Sequence, residues 1–158
     1  MKKPNELREW LLSSVLELQR HPEKLQLFID SGNLHSRLTN YDDNLCFEYQ
    51  FDLNLIITDL SVDTDHVMVP LLYWVKHNQT DIEPDAIQFE ADIIDHDRID
   101  LSITLPLTER VIVSQTDAGN YTTEHPGEPV PEWNMPDPVL FRELWHKDDK
   151  LTPEDIDG

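Results

Sequence analysis

The chain has 158 residues, a length that fits one domain with a core plus a tail. It carries 32 Asp and Glu against 12 Lys and Arg, and a surface so acidic repels phosphate backbones and disfavours sequence-specific nucleic-acid binding. No apolar run approaches a membrane span, the MKKPNELREW start lacks the apolar segment of a secretory signal, and the single Cys46 cannot form an intrachain disulfide, as expected of a reducing compartment.

Charge is unevenly spread. Residues 1–37 hold six basic and five acidic side chains, whereas residues 38–158 hold six basic and twenty-seven acidic.

Residues 5–20 are predicted to form an amphipathic helix, because Leu7, Trp10, Leu11, Val15 and Leu18 recur at helical spacing. Pro4 suits the helix start and His21-Pro22 suits its end. A second short helix is expected over 23–30, with Leu25, Leu27, Phe28 and Ile29 as its apolar set and Gly32 as its stop. His35 to Leu38 reads as a short strand, and Asn40 to Asn44 has turn chemistry.

The stretch from Leu45 to Thr58 alternates almost without error: Leu45, Phe47, Tyr49, Phe51, Leu53, Leu55 and Ile57 are apolar, with mostly acidic or amide residues between them. A period of two predicts one long strand with an apolar and a polar face. A helix to about Asn78 follows, capped by Asp63, Thr64 or Asp65, with Val67, Leu71, Trp74 and Val75 on one face and Pro70 inside it. Two more alternating runs come next, through Ile87, Phe89, Ala91 and Ile93 and through Ile99, Leu101, Ile103, Leu105 and Leu107, the second continuing towards Val113. Asp95-His96-Asp97 between them reads as a hairpin turn.

These elements predict an α+β fold: a mostly antiparallel sheet of long amphipathic strands with helices packed beside it, over residues 1–115. Residues 116–158 read as a Pro-rich arm, since six of the eleven prolines lie between Pro126 and Pro153. Within the arm, Val139, Leu140, Phe141, Leu144 and Trp145 form an apolar cluster, read as a partner-docking segment.

No catalytic constellation is evident: GxSxG, P-loop, GxGxxG, HExxH and CxxC motifs are all missing. Asp92, Asp95, His96, Asp97 and Asp100 form the best acidic cluster, yet they lack the central Gly and distal Glu of a calcium loop, and a hairpin tip explains them more simply. Cys46 has no base nearby in sequence. We expect neither metal nor cofactor. A small metal-dependent hydrolase built on the acidic cluster and a monomeric acidic adaptor or inhibitor are the competing readings.

Three segments carry a family resemblance: KPNELREWLLSSVLELQRHPEKLQLFIDSGNL, LNLIITDLSVDTDHVMVPLLYWVKHNQTDI and FEADIIDHDRIDLSITLPLTERVIVSQ. In this order they resemble tail completion protein R (GpR) of contractile-tailed temperate phages. The resemblance implies a structural protein of the virion tail, assembled in the host cytoplasm, with no catalytic residues. It implies a tail terminator: a six-fold ring of identical copies on the last ring of the tail tube, facing the head–tail connector. DNA would pass through such a ring, and acidic walls would keep it from sticking. A strand as long as that from Leu45 to Thr58 would then reach past its own domain to a neighbouring subunit.

Overall fold

Two alternating stretches supply the frame. The computed structural model describes residues 1–38 and 44–127, together with the strands Trp145–His146 and Asp149–Lys150. Strand β2 (Phe47–Leu60) pairs antiparallel along nearly its whole length with β4 (Arg98–Gln115). On both strands the odd-numbered residues fall on one face, so Leu53, Leu55, Ile57, Leu101, Ile103, Leu105 and Leu107 make a continuous buried sheet surface. Strand β1 (Leu25–Ser36) adds to the outer side of β2, and β3 (Gln88–Asp95) to the outer side of β4, giving the order β1-β2-β4-β3. All neighbours are antiparallel. Strand β5 (Tyr121–Glu124) folds back on the end of β4, in residues that the sequence reading placed in the arm. Strands β6 (Trp145–His146) and β7 (Asp149–Lys150) pair with each other.

A single helical layer covers the odd face. It comprises α1 (Lys3–Ser14), α2 (Leu16–Arg20) and α3 (Asp65–Asn78). Leu7, Leu11 and Leu18 from the first two, and Val67, Leu71, Trp74 and Val75 from the third, close the core. The predicted helix over 5–20 is therefore present but broken at Val15, whose backbone is extended. The break turns α2 so that Glu17 meets the backbone of Ser61 while Leu18 stays buried. Pro70 lies inside α3 without ending it. Its carbonyl accepts the Trp10 indole N–H at 2.8 Å, which ties α3 to α1. Asp63 serves the start of α3, its carboxylate accepting the Asp65 N–H.

The second predicted helix, over 23–30, is a correction. Pro22–Lys24 makes one 3-10 turn, and Leu25 then opens β1. Leu25, Leu27 and Ile29 face Ile57, Leu55 and Leu53 across the pair. The run is too short to gain much as a helix, and its alternation matches the apolar face already presented by β2, so pairing wins over local preference. Gly32 is not a helix stop. It sits where β1 shifts register, and a Cβ there would come within 2.9 Å of the Gln50 carbonyl oxygen and 3.0 Å of the Phe51 Cβ. The strand expected over His35 to Leu38 is the end of β1, and most of the expected turn at Asn40 to Asn44 lies outside the described residues. No helix among the described residues is long and apolar enough to cross a membrane.

Candidate functional site

Among the described residues helices lie on one face only, and the other face of the sheet is uncovered. It presents the even-numbered residues of β2 and β4, among them Glu48, Gln50, Asp52, Asn54, Ser102, Thr104 and Thr108. Asp30 of β1 and Glu90 and Asp92 of β3 extend it. Polar contacts cross it from strand to strand: the Thr104 hydroxyl donates to Asn54 Oδ1 at 3.2 Å, and the Asn54 amide donates to Asp30 at 3.5 Å. Gln50 donates to Glu48 at 3.0 Å. The result is an acidic and amide surface with little free cationic charge, since Arg98 and Arg110 are the two bases among the even residues of β2 and β4 and Arg98 is paired with Asp95 and Asp59.

The acidic hairpin resolves into structural roles. Asp95 Oδ1 accepts the Asp97 N–H at 2.9 Å, and its other oxygen pairs with Arg98 at 2.9 Å. Together these hold the Asp95 carboxyl below its ordinary range. Asp100 accepts the N–H of Asp59, a residue in the left-handed region at the β2 bulge, at 2.8 Å. Asp92 stands directly across from Asp100. Among the described residues, no group of three or more His, Cys, Asp or Glu is arranged to hold a metal ion. Cys46 is half-buried, directly before β2, and its Sγ accepts the Val113 N–H of β4 at 3.3 Å. Val139, Leu140, Phe141 and Leu144 lie outside the described residues, and Trp145 is described only as the first residue of β6.

A buried polar cluster escaped the sequence reading. Glu109 is 3% exposed and accepts the N–H groups of Lys2 and Lys3 at 2.7 and 2.6 Å. A β4 carboxylate thereby caps the positive end of α1. Its second oxygen lies 3.2 Å from His125 Nδ1, just past β5. Beside it, Gln79 accepts the Thr108 N–H and the Lys3 ammonium, so a side chain serves β4 beyond the reach of β3. The signal was available in the sequence, because Glu109 breaks an otherwise apolar odd series from Leu101 to Val113.

Among the described residues this arrangement contains supports, caps and ladders, with two sheet edges and one sheet face left open. The comparisons agree with a protein that works by contact. A relative named "Tail completion protein R", from Escherichia phage P2, is 38% identical over 140 residues, which covers 82% of this chain and 88% of that one. No solved structure matches. The family model of P2 phage tail completion protein R (GpR) matches residues 1–129, and the chain belongs to that family.

Proposed function

We propose that this protein closes the end of a phage tail tube as a ring of six identical copies and presents the closed end to the head–tail connector. Family membership carries the reading: the chain is a phage tail completion protein, a structural component of the virion tail. The finer parts rest on its surfaces. A sheet with helices on one face and an acidic, amide-rich face on the other supplies a wall that DNA can slide past without being held. That face would line the channel. In such a ring each contact joins two different patches. The long strand β2 is not what reaches the neighbour, because it is interior and paired with β1 and β4 along its length, so the seam would fall to the edge strands β1 and β3. No part of this role needs catalysis.

The arm completes the proposal. Val139, Leu140, Phe141, Leu144 and Trp145 would dock on a neighbouring subunit or on the connector. Burying one large apolar side chain is worth about 1.5 to 3 kcal/mol, whereas ordering a residue costs about 1 to 2 kcal/mol, so a short docked stretch is favourable and a long one is not.

The test mixes purified protein with polymerising tail-tube protein and measures tube length by electron microscopy. Capped tubes of limited length, ending in a multi-copy ring, are expected. Tubes that lengthen freely in its presence rule the terminator role out. Leu140→Asp with Trp145→Asp should leave a folded protein whose tails fail to join heads, and normal infectious particles would remove the arm from the proposal.

A further inference from the structure

The two outermost strands differ from the interior ones in a way that identifies the seam. All eight residues of β3 are exposed, and among the described residues β3 pairs only with β4. Phe89, Ala91 and Ile93 stand across from Ile103, Leu101 and Ile99, so they lie on the helix-covered face. The helical layer stops short of them, leaving Phe89 63% and Ile93 77% exposed. Edge strands are normally protected by lysine, proline or a covering segment. Strand β3 has no lysine and no proline, and its bulge falls only at the far end, between Ile93 and Asp95.

The opposite edge complements it. The last third of β1, Asn33 to Ser36, is exposed and pairs only with β2 among the described residues. Leu34 is 65% exposed and lies across from Tyr49, on the same face of the sheet as Phe89 and Ile93. Charge points the same way. Strand β3 carries Glu90, Asp92 and Asp95 and no base, whereas β1 carries one acid, Asp30, and no lysine or arginine, with Arg37 directly after it. For a protein of net charge −20, this nearly neutral edge repels the acidic β3 less than a second acidic edge would. Strand direction also fits. Strands β1 and β4 run one way and β2 and β3 the other. A copy brought alongside by rotation about an axis parallel to the strands keeps that sense, so its β1 arrives antiparallel to β3.

We infer that β3 of one copy pairs with β1 of the next, continuing one antiparallel sheet around the ring. This rests on the ring reading above and gives it a definite interface, heterologous and built from backbone hydrogen bonds with Phe89, Ile93 and Leu34 packed beside them. It also sets the uncovered faces of successive copies side by side.

The test places Asn33→Cys and Glu90→Cys, both on the uncovered face, singly and together, in full-length protein carrying Cys46→Ser. Each protein is assembled on tail tubes and treated with a flexible thiol-to-thiol cross-linker. The doubly substituted protein should give a ladder ending at the full ring, an equal mixture of the singly substituted proteins should give dimers and nothing larger, and each alone should give none. In parallel, Phe89→Lys with Ile93→Lys should melt within a few degrees of the unsubstituted protein and fail to cap tubes. Multi-copy caps without a cross-link from the double variant, or with one from a single variant alone, overturn the seam and leave the ring standing. Normal capping by the lysine variant overturns it equally. Single copies at tube ends, counted by electron microscopy, overturn the ring and the seam with it.

Discussion

At the scale of single residues, two buried carboxylates tie the helical layer to the sheet and its connections, and a buried histidine sits at the start of α3. Glu109 takes two backbone N–H groups at the start of α1 and meets His125 at the end of β5. A hydrogen bond to a charged group contributes about 1.5 to 3 kcal/mol, and truncation leaves buried donors without a partner. Glu109→Ala should therefore lower the melting temperature by roughly 5 to 10 °C for a chain of this size, measured by calorimetry, with Glu109→Gln losing less. Glu17 is buried between Lys24 and Ser61. Burial raises its carboxyl pKa, but hydrogen bonds from Lys24 and Ser61 outweigh that and leave it below the ordinary value. Burial likewise holds His66 below its ordinary value, against the opposing pull of Asp63, Asp65 and Glu17. Both depressed values have the same sign. The stability each contributes is present above the unfolded pKa and is lost as pH falls through the folded one. Acidification should thus destabilise in two steps, the first from His66 beginning near pH ~6.5 and the second from Glu17 below the ordinary glutamate range. In melting curves recorded from about pH 8 to 2, His66→Gln should flatten the first step and leave the second. An unchanged first step would assign it to another histidine.

At the scale of elements, what could be read from sequence was what repeats. The alternation of β2 and β4, the hairpin turn at Asp95 to Asp97 and the helical face of α3 are periodic, and each appears where its period places it. Strand β1 was misread because Leu25, Leu27, Phe28 and Ile29 satisfy helical and extended spacing alike over so few residues, and the decision lies in the waiting face of β2. The candidate surfaces divide in the same way. The uncovered polar face was visible as the even residues of the long strand, whereas the bare edges of β1 and β3 depend on strand order, which no local pattern encodes. The Glu109 cap lay between the two: its place in an apolar series was visible, its partner at the other end of the chain was not. Gly32 carries a testable consequence of β1 being a strand. A methyl group there meets the backbone oxygen of Gln50 and the Cβ of Phe51, neither of which is the movable end of a side chain. Overpacking of this kind costs about 1 to 3 kcal/mol, so Gly32→Ala should destabilise by that amount in denaturant titration. A helix stop at this position would instead predict loss of helical signal, and circular dichroism should show none.

At the scale of the whole molecule, net charge and assembly pull in opposite directions. Each copy carries −20, and bringing copies together multiplies the repulsion. In the proposed ring, a chain that keeps such a charge would have to gain something from it, and the uncovered face is where that gain would be felt. Asp30, Asp52, Glu90 and Asp92 lie on that face, on three of its four strands, and among the described residues none of them pairs with a base. Their exposed carboxylates hold no core element in place, so Asp30→Asn, Asp52→Asn, Glu90→Gln and Asp92→Asn together should change the melting temperature by only a few degrees. Reduced repulsion should make ring formation on tube ends faster, most visibly at low ionic strength, where the screening length is about 30 Å against about 8 Å at physiological salt. The cost should fall on DNA passage. With the wall neutralised, phosphates are no longer repelled, and ejection from otherwise complete particles should slow, measured as DNA release after receptor triggering. Unaltered ejection from particles shown to contain the fourfold variant would place the acidic face away from the channel. Slower ejection with normal capping would separate the two roles of the one sheet, edges for assembly and face for passage.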